Sequence, residues 1–293
     1  VNPALHSCQP SDAPIGVFDS GVGGLSVLRH IRAQLPHEHL MYFADSGFAP
    51  YGDKPEQVVV ERSLAIAAFL LERGAKALVV ACNTATVAAI KAIRARYPEL
   101  PVVGVEPGLK PAAALTRNGK VGVLATSRTL SGEKFLLLRE QISAASHALF
   151  LLQPCIGLVD LIEQGQLGTD EHDATSQMLQ HYIAPLLEQG ADTLVLGCTH
   201  YPFVLDAIER TVQQATARPV TLVDTGEAVA RQLARLLEAA SLLRSSEAGD
   251  GETARLQAFA SANVPALSQA FSSLLGWHPP VGKSGNLDCL QNF

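Results

Sequence analysis

Two stretches of this chain, LLERGAKALVVACNT (70–84) and LLEQGADTLVLGCTH (186–200), are versions of one pattern. Each has a Leu-Leu-Glu helix end, a stopping glycine, an apolar run, and a cysteine eight residues after the glycine: Gly74 to Cys82 and Gly190 to Cys198. A second match precedes the first. IGVFDSG (15–21) resembles VGVLATS (121–127), which sets Ser20 against Thr126. The two offsets, 106 and 116 residues, keep the same order along the chain. The chain therefore reads as two copies of one α/β unit, and ligands often bind at the interface between such units.

The same alternation extends outward from the repeat. Strands are predicted at 15–18, 40–45, 77–81 and 101–105, with amphipathic helices at 23–35, 55–74 and 84–97 between them. Short β-branched runs separated by helices imply parallel sheets covered on both faces. The expected architecture is α/β: two similar three-layer α/β domains with mostly parallel sheets, related by a pseudo-two-fold axis, with the active site in the cleft between them. After the second copy, 221–243 reads as another strand and helix, 244–253 as a polar loop, 256–261 as a late strand and 266–276 as a short helix. The remaining tail from Pro279 onward reads as poorly structured. The first domain is expected to be discontinuous, 1–106 with 222–293, around a second domain at 107–221; residues 1–13 read as a loose extension.

Length and composition agree with this. A chain of 293 residues suggests two domains. Hydrophobic residues at 47% and charged residues at 17% suit a soluble chain with a sizeable core. The net charge of −6, without a Lys/Arg cluster, argues against a nucleic-acid partner. It leaves room for a small anionic ligand, which backbone N–H groups alone can bind. No run is long enough for a membrane span, and the first residues lack the pattern of a signal peptide. The five cysteines, Cys8, Cys82, Cys155, Cys198 and Cys289, are odd in number and far apart, with no CxxC and no zinc-ligand spacing of histidines. A disulfide framework is not expected; reduced thiols and a cytoplasmic location are.

A lone buried cysteine is usually a small core hydrophobe. Cys82 and Cys198 differ because both end a strand and precede a helix at the same place in two copies. In parallel sheets, sites form beyond the carboxyl ends of the strands. A nearby helix N-terminus is expected to favour thiolate. The residues that follow, Asn83 and Thr84 and then Thr199 and His200, suit a bound carboxylate. Asp19 and Ser20 follow the first strand, before GVGG (21–24), where they either cap the helix or face a ligand; neither GxGxxG nor GxxxxGK[ST] is present. Pro50-Tyr51-Gly52 is either a plain turn or a source of N–H groups and a Tyr hydroxyl for a ligand. By itself His200 reads as a hydrogen-bonded structural residue or a proton-transfer partner of Cys198, and Glu163 as an exposed helix carboxylate.

Together FDSGVGGLSV (18–27), PYG (50–52), ACNTAT (81–86) and GCTHYP (197–202) resemble the motifs of the glutamate racemases within the aspartate/glutamate racemase superfamily. The resemblance runs from about residue 14 to about residue 282. It implies a two-domain fold with the site between domains, and a cofactor-independent proton transfer that makes D-glutamate for peptidoglycan. It also implies that Cys82 and Cys198 are the two acid/bases, with Cys82 deprotonating D-glutamate and Cys198 L-glutamate. By the same resemblance Asp19, Ser20, Pro50, Tyr51, Gly52, Asn83, Thr84, Thr199 and His200 bind substrate, and Asp19, His200 and Glu163 assist proton transfer. Thr126 and Thr129 match a threonine segment that contacts substrate in the family. The small-molecule substrate is then L- or D-glutamate, favoured over aspartate or a hydantoin because His200 directly follows Thr199. A homodimer is the expected assembly. The rival class is a binding protein on the same fold, since some members inhibit DNA gyrase; the intact cysteine pair argues against loss of catalysis.

Overall fold

The computed structural model describes residues 10–170, 172–244 and 254–285. The strands are β1 (Ile15–Asp19), β2 (Leu40–Ala44), β3 (Ala77–Val80), β4 (Val102–Gly104), β5 (Lys120–Ala125), β6 (Leu149–Pro154), β7 (Thr193–Leu196), β8 (Thr221–Val223), β9 (Leu256–Ala260) and β10 (Val281–Lys283). They form two parallel sheets, ordered β10-β9-β2-β1-β3-β4 and β6-β5-β7-β8. The order β2-β1-β3-β4 recurs as β6-β5-β7-β8, so the sequence repeat is a repeat of topology. β1 is central in one sheet and β5 in the other; the cysteine-bearing β3 and β7 lie beside them.

Side chains alternate across a strand, so each sheet needs cover on both faces. Ile15 and Val17 of β1 pack with Leu25, Leu28 and Ile31 of the helix Leu25–Gln34 and with Val229, Leu233 and Leu237 of the helix Gly226–Ala239. Phe18 faces the other way, toward Ile66, Phe69 and Leu70 of the helix Glu56–Glu72. In the second sheet, Leu124, Leu194 and Leu196 pack on Leu179, Ile183 and Leu186 of the helix Ala174–Glu188, while Val121, Val123 and Val195 face Leu109 and Phe135.

The repeated Leu-Leu-Glu-x-Gly is a helix stop with a defined geometry. Gly74 and Gly190 take φ values of +84° and +93°, a region that an L side chain rarely adopts. Gly74 N–H donates to Leu71 O and Ala75 N–H to Leu70 O at 2.9 and 3.1 Å; Gly190 and Ala191 repeat the pattern on Leu187 and Leu186 at 3.0 Å each. This paired closure satisfies carbonyls left free at a helix end and turns the chain into the next strand.

Two expectations need adjustment. The segment after Pro279 is not wholly irregular: Val281–Lys283 pairs with Ala258–Ala260, because the edge of β9 offers an unpaired ladder. Residues 10–13 of the expected loose extension begin with a 3-10 turn at Pro10–Asp12, held where Asp12 pairs with Arg244 at 3.3 Å and Lys76 donates to Ser11 O. Residues 1–9, like most of the predicted polar loop at 244–253, lie outside the described residues. β8 pairs with β7, and the chain turns back toward the first sheet with the helix Gly226–Ala239. Among the described residues, no helix is long and apolar enough to cross a membrane.

Phe271 tests whether the late segment belongs to the first core. Its side chain is fully buried and meets Tyr42 edge-on at 5.7 Å. Phe271→Ala is expected to cost about 3–5 kcal/mol in urea unfolding. An unmoved unfolding midpoint would place this segment outside the cooperative core.

Candidate active site

Every strand in a parallel sheet points the same way, so the residues that follow β1, β3, β5 and β7 gather at the carboxyl edges. Ser20, Cys82, Thr126 and Cys198 are those residues, and together with Pro50, Tyr51, Gly52, Asn83, Thr84, Val159, Thr199 and His200 they line one cavity. Its volume is about 20 Å³, room for about one water molecule.

Cys82 is the N-cap of the helix Asn83–Arg96. Its Sγ accepts from Ala85 N–H at 3.4 Å and lies 3.9 Å from Ser20 Oγ. The expected thiolate is not favoured here. Burial pushes the Cys82 thiol well above its ordinary pKa, and the nearby Asp19 carboxylate adds to that; the Ala85 N–H only partly opposes them. Desolvation of a charged sulfur outweighs one helix N-terminus. The second copy also departs from expectation. No α-helix begins at Cys198: a 3-10 turn at Tyr201–Val204 comes first, then the helix Leu205–Ala215.

What Cys198 has instead is a histidine. Its Sγ lies 3.6 Å from His200 Nδ1, and His200 Nε2 lies 2.7 Å from Glu163 Oε1. The same Glu163 oxygen accepts Val22 N–H at 2.9 Å. Read alone as an exposed helix carboxylate, Glu163 is instead tied to both halves by one oxygen. It ends the helix Leu158–Glu163, which points it across the cleft. Burial disfavours charge on both partners, but pairing prevails. His200 is raised well above the ordinary imidazole pKa by its contacts with Cys198 and Glu163, and Glu163 is lowered by the hydrogen bond and charge of His200 and by Val22 N–H.

The glycines of GVGG permit this approach. A Cβ on Gly21 would stand 1.9 Å from Glu163 Oε1, and one on Gly23 would stand 2.4 Å from His200 Nδ1. Ser26 Oγ adds a bond across the seam, donating to Thr199 O at 2.8 Å.

Asp19 takes the capping role that its sequence position suggested, and it does not line the cavity. Oδ2 accepts Gly24 N–H at 2.9 Å and Gly21 N–H at 3.3 Å, capping the glycine turn. Oδ1 is buried without a hydrogen-bond partner among the described residues. Burial raises the Asp19 pKa, partly offset by His200. Asn83 Nδ2 is likewise buried without a partner. Three threonine hydroxyls meet where the halves touch: Thr84 Oγ1 lies 3.0 Å from Thr126 Oγ1 and 3.3 Å from Thr129 Oγ1. Thr126 lines the cavity and Thr129 sits behind it. Tyr51 lines the cavity, but its hydroxyl is committed elsewhere, donating to Asp45 Oδ2 at 2.5 Å. That corrects the reading of its hydroxyl as a ligand donor.

Sequence reasoning passed over Val159, an ordinary apolar helix position, and the Asp45–Arg62 pair behind Tyr51. Nothing in local sequence marks either. Cys155 does not line this cavity but one adjoining it, and burial pushes its thiol up to about 12. Cys8 and Cys289 lie outside the described residues. Among the described residues no group of three or more His, Cys, Asp or Glu is arranged to hold a metal.

Comparison with known proteins gives the family. A family model described as Asp/Glu/Hydantoin racemase matches residues 15–233. A glutamate racemase of Ectopseudomonas mendocina is 53% identical over 254 residues, 85% of this chain and 93% of that one. The structure of Escherichia coli glutamate racemase in complex with L-glutamate and the activator UDP-MurNAc-Ala has a TM-score of 0.75 at 36% identity, covering 92% of this chain and 98% of that one. The Francisella tularensis glutamate racemase in complex with D-glutamate has a TM-score of 0.80 at 25% identity, covering 95% and 99%.

The electrostatics of the histidine are directly measurable. An NMR titration of His200 is expected to show a pKa above the ordinary 6.5. In Glu163→Gln the carboxylate that favours imidazolium is gone, so the midpoint should fall. A midpoint that stays in place would remove Glu163 as a partner that favours imidazolium.

Proposed function

Since the chain belongs to the Asp/Glu/hydantoin racemase family, we propose that it interconverts L- and D-glutamate by passing the α-proton between Cys82 and Cys198, without a cofactor. The observation that carries this reading is that one cavity is lined by both cysteines, each delivered by an equivalent strand of the two sheets. Racemisation removes a proton from one face of the α-carbon and returns one to the other face. Two acid/bases on opposite walls meet that need. A thiolate takes the α-proton and becomes a thiol; the opposite thiol gives its proton to the carbanion and becomes the thiolate. The roles exchange for the reverse reaction, with Cys198 the base toward L-glutamate and Cys82 the base toward D-glutamate.

The surroundings suit these roles. The burial that keeps Cys82 protonated makes it the proton donor when L-glutamate is turned over. Imidazolium at His200, held by Glu163, is the partner that a starting thiolate at Cys198 requires. In the reverse direction Cys82 must carry charge beside Asp19. Burial raises the Asp19 pKa, and a protonated Asp19 removes the repulsion that opposes that thiolate.

The carbanionic transition state needs preorganised donors at the substrate carboxylate. Asn83 Nδ2 is a buried donor at the cavity wall without a partner among the described residues, and the hydroxyls of Ser20, Thr84, Thr126 and Thr199 and the Pro50–Gly52 turn surround the same space. A cavity of about 20 Å³ admits an amino acid only when the halves part. Their closure then excludes water and strengthens those contacts. The D-glutamate formed supplies peptidoglycan synthesis.

In deuterated water, the protein is expected to place deuterium at Cα of L-glutamate and to leave L-aspartate unlabelled. Exchange of aspartate alone would overturn the substrate. Cys82→Ser and Cys198→Ser, each made singly, are expected to lower racemisation about 10²–10⁴-fold with the fold intact. Near-wild-type rates in either variant would sink the two-base mechanism.

A further inference from the structure

The loop after β2 is folded around one guanidinium. Asp45, fully buried, receives two hydrogen bonds from Arg62 of the helix Glu56–Glu72: Nε to Oδ2 at 3.0 Å and Nη2 to Oδ1 at 2.8 Å. Tyr51 OH donates to the same Oδ2 at 2.5 Å. Phe48 closes the outside, with the Arg62 Cζ 3.9 Å from its ring centroid. On the inner side, Asp45 N–H donates to Asp19 O at 3.0 Å. Beyond Tyr51, the turn meets the second half, where a Cβ on Gly52 would lie 3.1 Å from Thr126 Cβ. One buried ion pair thus connects the rigid helix, the backbone of Asp19 and the Pro50–Gly52 wall of the cavity.

We propose that Asp45 and Arg62 are positioning residues for the reaction: their ion pair holds the Tyr51 hydroxyl away from the substrate and sets the Pro50–Gly52 backbone against it. The inference rests on the glutamate racemase reading above. Neither residue lines the cavity, so each acts through Tyr51. The pair also distinguishes positioning from mere stability. Replacing a buried ion pair by apolar residues of similar volume is often neutral for folding, whereas removing one partner strands a charge. A purely structural role therefore predicts that a double apolar replacement leaves the kinetics alone. A positioning role predicts weaker substrate binding in a protein that still folds.

The experiment measures Tm, KM and kcat in both directions for wild type, for Asp45→Leu/Arg62→Met and for Tyr51→Phe. The double variant is expected to fold with a Tm lowered by no more than the stranded Tyr51 hydroxyl costs, to raise KM for glutamate about tenfold and to hold kcat within a few-fold, as expected when uniform binding is lost. Tyr51→Phe cuts only the link from the pair to the turn and is expected to raise KM in the same direction. Added to the double variant, it should have no further effect. An unchanged KM in a folded double variant would overturn the proposal, as would fully additive effects of Tyr51→Phe. If the double variant does not fold, Tyr51→Phe decides, and its unchanged KM overturns it. Wild-type protein inactive on glutamate would instead overturn the functional reading, and this inference with it.

Discussion

One carboxylate oxygen joins the two halves of this protein. Glu163 Oε1 accepts a backbone N–H from Val22 in the first half and lies 2.7 Å from the His200 ring in the second. The contact is possible only because the chain at 21–24 presents bare backbone, with space for neither a methyl at Gly21 nor one at Gly23. Much of the site follows from that closeness. His200 is held at Cys198, the Asp19 carboxylate is wrapped by the glycine turn, and Ser26 reaches across to the carbonyl of Thr199.

The two copies share a topology but treat their cysteines differently. Cys82 sits among a buried carboxylate, a serine and a helix N-terminus, and desolvation prevails there. Cys198 has a paired histidine and no α-helix at its side. The asymmetry arises because the second copy inserts a 3-10 turn after its strand and carries His200 two residues after the cysteine. A duplicated frame thus supplies two thiols in matched positions, while the residues around each set a separate electrostatic environment. Asp19 and His200 act on each other, and each acts on the sulfur beside it: Asp19 on Cys82 and His200 on Cys198.

The walls of the cavity are built with unequal rigidity in mind of chemistry. The Pro50–Gly52 turn is tied to a helix by a desolvated ion pair, so its backbone has few alternatives. The threonines of the two halves meet at the seam through hydroxyl contacts at 3.0–3.3 Å. Hydroxyl pairs of this kind exchange readily with water or a ligand, since the net worth of one such bond is about 1 kcal/mol. The threonine contacts therefore yield at low cost, while the Glu163 and Ser26 bonds still cross the seam and the braced turn keeps its shape.

Much of this was legible in the linear chain. Hydrophobic period and the glycine stops at 74 and 190 determined the strand–helix alternation, because a parallel sheet buried on both faces needs apolar strands and a left-handed residue ends each helix. The internal repeat placed Cys82 and Cys198 at equivalent strand ends, and the motifs around them marked the neighbours that line the same cavity. Tertiary structure alone decided the rest. The pairing of Glu163 with His200, the diversion of the Tyr51 hydroxyl to Asp45, and the suppression of charge at Cys82 all depend on groups far apart in sequence. Local pattern records which face of an element is apolar, but a pKa and a hydrogen-bond partner depend on distance and burial, which exist only once the two halves have closed on one another.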